Sequence, residues 1–268
     1  MKLFISDYDG TYLRNVANQD EQLHQNAEQV RRWQAEGNLF GFSTGRILPL
    51  IEKEPPVQGL QTDVMIVANG ALVLDAKGRT LFHQTFSAQV SKTLLHYLSE
   101  ETDLNFICSD GRDGYLRAGV LTSPSMGEVF QSLQQQGYFQ LTPAGVLKQG
   151  VSQFSIIDLT PDLIEALVVK METLFGEEVT IYPNRASIDL SPKNCSKAIG
   201  VKEAIKYLKL SSDQVICMGD SWNDLEMLQQ YQGLTVPDAP AVLKEVAQAA
   251  IDSVASGLEW AKKEDYEV

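Results

Sequence analysis

Two aspartates, Asp7 and Asp9, stand two residues apart at the end of a short apolar run and are followed at once by Gly10 and Thr11. In extended chain the period-two alternation points both carboxylates the same way, and Gly10 lets the backbone turn away. Like charges about 4 Å apart repel by roughly 4 kcal/mol at an effective dielectric near 20, so such a pair calls for a cation or a proton. The plain alternative is a turn, for which Asp-Gly is common chemistry.

Three further groups carry chemical potential. Ser43-Thr44-Gly45-Arg46 sets a hydroxyl and a glycine amide where an apolar run ends, a setting that suits a phosphate oxygen as well as it suits an ordinary turn. Lys197 stands at a helix start, where the helix dipole disfavours a cation unless an anion is also present. Lys193 is its rival four residues earlier, and a solvated surface lysine is the plain alternative for both. Asp220, Asn223 and Asp224 in "GDSWND" crowd three carboxylate or amide groups into one turn. Acidic helix caps are common, yet oxygen ligands with retained waters are what Mg²⁺ prefers.

The elements that must position these groups follow from periodicity. Met1 to Ser6, Leu39 to Phe42, Val64 to Ala68 and Val215 to Met218 read as short buried strands. Between the first two, Leu23, Ala27, Val30 and Trp33 share a helical face that Gly37 stops. Strands alternating with helices predict right-handed βαβ units and a parallel sheet, with ligands at the carboxyl ends of the strands. From about residue 72 the pattern changes to hairpins, around Lys77-Gly78 and in "FICSDGRDGYLRAGV", with helices starting at Ser87 and at Thr160-Pro161 and two strand-like pieces about Pro183-Asn184. The βα rhythm resumes near residue 191, with a helix capped by Ser196.

Composition excludes several classes. At 268 residues, 44% apolar and 21% charged, the chain is long enough for a full core and for two domains. Its net charge of −13 argues against a nucleic-acid partner, so an anionic substrate must meet a local positive site. Cys108, Cys195 and Cys217 are widely spaced and unpaired in pattern, which predicts a reducing compartment and no structural zinc. Arg112 follows Cys108 too closely for a cysteine-phosphatase loop, so Cys108 reads as a strand residue. No apolar run reaches the roughly 20 residues of a membrane span, and "MKLFISD" is too soon charged for a signal peptide, so the expected location is the cytoplasm. His24, His83 and His96 lie beside none of the four groups, which counts against histidine phosphatases, and no G-x-x-x-x-G-K-[ST] loop exists for an NTPase.

Taken in order, the Asp-x-Asp-Gly-Thr loop, the Ser/Thr, the Lys and the acidic pair resemble the motifs of the haloacid dehalogenase superfamily of phosphatases. "NGA" at 69–71 and "GDSWNDLEML" at 219–228 are similar to its Cof-type branch, and the resemblance covers the whole chain. It implies an α/β fold: a Rossmann-like parallel-sheet core of residues 1–82 and 189–268, with an inserted α+β cap of residues 83–188 that covers the site and sets substrate choice. It implies a small-molecule phosphate ester as partner, Mg²⁺ as cofactor, and no nucleic acid or membrane. Asp7 is then the nucleophile and Asp9 the general acid and base, with the metal on Asp7, the Asp9 carbonyl and Asp220. Thr44, Gly45, Lys197 and Asn223 hold phosphate oxygens, and Ser43 and Asp224 support them. Arg185 is a candidate cap contact. The chain departs from the branch at "TVPDAP", Thr235 to Pro240, outside the four motifs. A phosphomutase using the same chemistry and a noncatalytic phospho-ligand sensor are the alternatives.

Overall fold

The structure, a computed structural model, describes residues 1–101, 103–119, 124–184 and 186–263; Arg185 lies outside them. The chain opens with β1 (Leu3–Ser6), α1 (Gln19–Ala35), β2 (Leu39–Ser43), the short helices α2 (Leu48–Glu52) and α3 (Pro55–Gln58), then β3 (Val64–Val67), β4 (Leu72–Asp75) and β5 (Thr80–His83). There follow α4 (Ala88–Glu100), β6 (Asn105–Ser109), β7 (Gly114–Arg117), α5 (Pro124–Gln135), α6 (Pro143–Gln149), β8 (Gln153–Ile157), α7 (Pro161–Phe175), β9 (Val179–Pro183) and β10 (Ser187–Pro192). The last stretch is α8 (Lys197–Leu208), β11 (Val215–Gly219), α9 (Leu225–Gln230), β12 (Gln232–Thr235), α10 (Ala241–Val246), β13 (Ala249–Ala250) and α11 (Val254–Lys263).

Two compact units result. The first comprises residues 1–44, 52–82 and 196–268, the second residues 45–51 and 83–195.

The first unit is built on an eight-stranded sheet ordered β13-β12-β11-β1-β2-β3-β4-β5 among the described residues. Its five neighbouring pairs from β13 through β3 are parallel, and β3–β4 is antiparallel. Register puts Leu3 beside both Val215 and Leu39, so β1 lies in the interior of the sheet, buried along its whole length. On one face Phe4 meets Trp33 of α1 edge-on, with ring centroids 6.4 Å apart, and stacks with Phe40. On the other, Ile66 of β3 lies against α8 at Gly200. Apolar side chains on both faces are what a doubly covered parallel sheet requires. The buried face of α1 is less apolar than its periodicity predicts: Gln22 and Asn26 are buried in place of Leu23 and Ala27. They do so because backbone groups need them there: Asn26 Nδ2 donates to the Tyr12 carbonyl at 3.2 Å, and Asn26 Oδ1 accepts from the Ala255 amide at 2.9 Å.

The second unit carries a five-stranded sheet ordered β7-β6-β8-β10-β9, antiparallel at every step. One face buries Phe106, Phe154, Ile156, Ile188 and Leu190 against Leu94 and Leu98 of α4 and Leu167 and Met171 of α7. The other face sets polar side chains beside Ile107 and Leu116. There Gln153 Nε2 donates to Ser155 Oγ at 2.8 Å, and Ser155 Oγ donates to Asp189 at 2.7 Å. Ser87 caps α4 by accepting from the Val90 amide, as the sequence predicts; Thr142 caps α6 in the same way before Pro143, a helix that periodicity did not indicate.

The second unit takes up the chain again at His83. It keeps the chain through Cys195. The reason is β10, which runs to Pro192 as an interior strand between β8 and β9, and the turn after it, where Lys193 N donates to the Glu178 carbonyl and Tyr182 Oη to the Cys195 carbonyl. Residues 45–51 also join this unit, tied by Leu48 N to the Gly111 carbonyl at 2.8 Å and by Gln153 Nε2 to the Gly45 carbonyl at 3.0 Å. No helix among the described residues is long and apolar enough to cross a membrane.

Candidate active site

Neighbouring parallel strands β11, β1 and β2 end side by side, so their carboxyl-terminal loops converge. Asp7 leaves β1 with its amide on the Met218 carbonyl of β11 at 2.8 Å, still in register with the sheet. The chain then folds back: Tyr12 N bonds the Asp7 carbonyl, and Leu13 N the Tyr8 carbonyl at 2.8 Å. Gly10 makes the reversal at φ +89°, and a Cβ there would overlap the Asp220 carboxylate. Only glycine meets both demands without strain.

Asp7 is buried and Lys197 reaches it from the first turn of α8, Nζ to Oδ1 at 2.7 Å. The same ammonium donates to Asp224 Oδ1 at 2.6 Å. This explains a lysine at a helix N-terminus: two carboxylates outweigh the unfavourable end of the dipole. Lys193 is elsewhere, exposed, with Nζ on the Gly176 carbonyl. Asp224 is fully buried, and its second oxygen accepts from the Asp220 and Ser221 amides at 3.1 and 3.0 Å, which closes the turn after β11. Asp220 accepts from Thr11 Oγ1 at 2.9 Å, a residue whose role the sequence reading left unassigned.

The electrostatics are lopsided. Burial, with Asp224 and Asp220 adding to it, pushes the Asp7 carboxyl well above the usual range despite Lys197. Burial and then Asp224 raise Asp220, and the Thr11 hydroxyl and Lys197 offset this only in part. Burial alone would depress Lys197, but Asp224 and Asp7 outweigh it and hold the ammonium above the usual lysine range. One oxygen from each of Asp7, Asp220 and Asp224 lies within 4.8 Å of the others. Three carboxylates against one ammonium leave uncompensated negative charge in a buried place, and an all-oxygen donor set of this kind fits a hard divalent cation.

Other expected residues fall as follows. Asp9 is exposed and forms an isolated bridge with Leu13. Thr44 is buried, its amide on the Ile66 carbonyl at 2.9 Å. Ser43 is buried at the end of β2, and its hydroxyl has no partner among the described residues. Gly45 follows Thr44 in the chain and belongs to the second unit. Asn223 is half-buried, with Nδ2 on Asn69 Oδ1 at 2.9 Å and Oδ1 on the Ser221 hydroxyl at 2.7 Å. The first unit thus gathers Asp7, Asp220, Asp224 and Lys197 into one bonded cluster, with Asn223 on the same turn. In the sequence Asn69 stands out only as part of the Cof-like "NGA", with no role of its own; the Asn-Gly pair, a signal for left-handed backbone, is the available clue.

Residues 4–257 match the model of the haloacid dehalogenase-like hydrolases. The chain belongs to that family. Phosphatase YwpJ of Bacillus subtilis (strain 168) is 26% identical to it over 283 residues, covering 93% of this chain and 94% of the relative. The 5-amino-6-(5-phospho-D-ribitylamino)uracil phosphatase YbjI of Escherichia coli (strain K12) is 23% identical over 236 residues, covering 86% and 82%. A solved HAD/COF-like hydrolase from Plasmodium vivax shares the fold of this haloacid dehalogenase-like hydrolase, with a TM-score of 0.77 over 100% of this chain and 96% of that one at 21% identity. The resemblance to the superfamily read from the four motifs, and to its Cof-type branch read from "NGA" and "GDSWNDLEML", therefore holds, and the chain is an enzyme of that hydrolase family.

Proposed function

We propose that this haloacid dehalogenase-like hydrolase is a Mg²⁺-dependent phosphatase of small phosphorylated metabolites that works through a phosphoryl group carried on Asp7. The observation that carries the reading is the buried cluster itself, with Lys197 Nζ 2.7 Å from Asp7 and 2.6 Å from Asp224 and with Asp220 alongside. A cluster built only to stabilise a fold would not bury two carboxylates on one cation with a third, half-buried, beside them, because desolvation costs more than such pairing returns. Support for the substrate class comes from the relatives, one of which bears the name of a phosphorylated ribitylamino-uracil as its substrate.

In this reading the Asp7 carboxylate attacks phosphorus and the ester oxygen leaves, a recognised use of a carboxylate nucleophile. Asp9, outside the buried cluster, donates its proton to the leaving oxygen and then takes one from the water that attacks the phosphoryl-aspartate. Thr44, the Gly45 amide that follows it, Lys197 and Asn223 hold the phosphoryl oxygens, with Ser43 behind them. Asp7, the Asp9 carbonyl and Asp220 would hold Mg²⁺, with Asp224 fixing the turn that carries Asp220. When bound, Mg²⁺ supplies positive charge against the carboxylates and the phosphoryl oxygens.

Phosphate release from a panel of sugar phosphates, nucleotides and phosphorylated cofactors tests this. Activity is expected to fall to background in excess chelator and to return with Mg²⁺ better than with Ca²⁺, whose longer bonds and higher coordination suit this compact set poorly. Full turnover in chelator would remove the metal from the reading.

Substrate choice is assigned to the inserted unit, residues 83–195. Exchanging that segment with the corresponding one of a relative that prefers a different ester is expected to carry the relative's preference with it. An unchanged profile in an active chimera would return specificity to the first unit.

A further inference from the structure

Ala68, Asn69 and Gly70 run consecutively through left-handed backbone, with φ of 52°, 53° and 97°, and all three are buried. Two non-glycine residues in that region carry strain, which persists only where the surroundings over-determine it. Here they do. Asn69 N donates to the Thr44 carbonyl at 3.1 Å, Asn69 Oδ1 accepts from Asn223 Nδ2 at 2.9 Å, and a Cβ on Gly70 would overlap the Ser196 carbonyl, the residue before Lys197. One turn therefore touches the loop of Thr44, the turn of Asn223 and the start of the Lys197 helix.

We infer that Asn69 is a positioning residue that fixes the amide of Asn223 so that its second N–H serves the phosphoryl group. This rests on the phosphatase reading of the site. An asparagine amide has an oxygen end and a nitrogen end of nearly equal shape, and only its partners decide which end faces a ligand. The Ser221 hydroxyl, 2.7 Å from Asn223 Oδ1, can donate or accept and so cannot decide it. Asn69 Oδ1 only accepts, so it holds the nitrogen end. One N–H of Asn223 is used in that bond and the other is left for an anion. The left-handed backbone places Asn69 to do this, because asparagine tolerates that region better than other side chains.

The test is a double-mutant cycle read by competitive inhibition with inorganic phosphate and by steady-state kinetics on one active ester in the holoenzyme. Asn69→Gly keeps the backbone conformation and removes the oxygen. It is expected to raise the phosphate inhibition constant and KM about tenfold, with kcat changed less than about twofold, the signature of lost ground-state and transition-state binding alike. In an Asn223→Ala chain, Asn69→Gly is expected to add nothing. Asn69→Ala is expected to lower Tm further than Asn69→Gly but to match its loss of phosphate affinity. If Asn223→Ala weakens phosphate while Asn69→Gly does not, or if the two effects multiply, the positioning role is overturned and the site reading stands. If Asn223→Ala leaves phosphate affinity untouched, the phosphate role of Asn223 falls and takes the inference with it. A loss seen only with Asn69→Ala would assign the effect to backbone geometry and overturn the inference as well.

Discussion

Asp7→Asn is expected to give neither a burst of phenol nor steady turnover from an aryl phosphate, a loss on the order of 10⁴-fold or more, because the amide cannot displace the ester oxygen. The substitution leaves the shape of the cluster unchanged and removes a charge that burial, Asp224 and Asp220 all oppose. The metal-free variant should therefore unfold no earlier than the parent, which separates lost chemistry from lost fold. Asp9→Asn is the contrasting case. A phenol with an acidic hydroxyl departs without protonation, so phosphoryl transfer to Asp7 should proceed and release up to about one equivalent of phenol per enzyme. Hydrolysis then lacks its base, and the burst should be followed by slow turnover. Rapid-mixing absorbance reads the burst, and peptide mapping by mass locates the added phosphoryl group. Rapid multiple turnover by Asp7→Asn would remove it as nucleophile, and undiminished steady turnover by Asp9→Asn would remove the base.

Lys197→Met should be the most destabilising single change in the cluster. It keeps the length and volume of the stem while taking away the ammonium between Asp7 and Asp224, both buried. Removing one partner of a buried ion pair costs about 3–5 kcal/mol, because the remaining charges lose their compensation without regaining water. In an Asp224→Asn chain the same substitution should cost less, since one fewer carboxylate is stranded. Calorimetric unfolding of the four chains measures both quantities. A Lys197→Met chain within about 0.5 kcal/mol of the parent, a range ordinary for surface changes, would show that the cluster sits as neutral acids and contributes little. Activity should fall in the same variant, and the stability readout keeps that loss interpretable.

The side chains of the buried cluster were legible in the sequence because each sits at a strand end or helix start, where short apolar runs and caps mark the boundary. Asp7, Lys197 and Asp224 illustrate this: their spacing follows from βα punctuation, and the structure brings their side chains within hydrogen-bond reach. What the sequence withheld were the groups that act on backbone or on another side chain. Gln22 and Asn26 break the apolar face of α1 because amides and carbonyls of distant segments need partners, a demand that no periodicity records. Thr11 and Asn69 were passed over for the same reason, since each bonds a residue more than 150 positions away. Asp189 to Pro192 reads in sequence like the start of the returning βα rhythm, while its strand partners are β8 and β9, a pairing that only long-range register reveals.

The interior position of β1 has a consequence for how the molecule comes into being. Its partner on one side, β2, is made soon after it, but its partner on the other is β11, with Leu3 against Val215. During synthesis the edge of β1 stays open while all five strands of the second unit, from Asn105 to Pro192, are already available to pair with one another. Domains generally fold as units as the chain emerges, so the inserted unit completes before the unit that hosts it. Asp7 precedes Lys197 by 190 residues, and Asp224 lies further on still, so it waits for both. A chain cut off before Lys197 therefore carries Asp7 without its cation and an unpaired strand edge prone to aggregation.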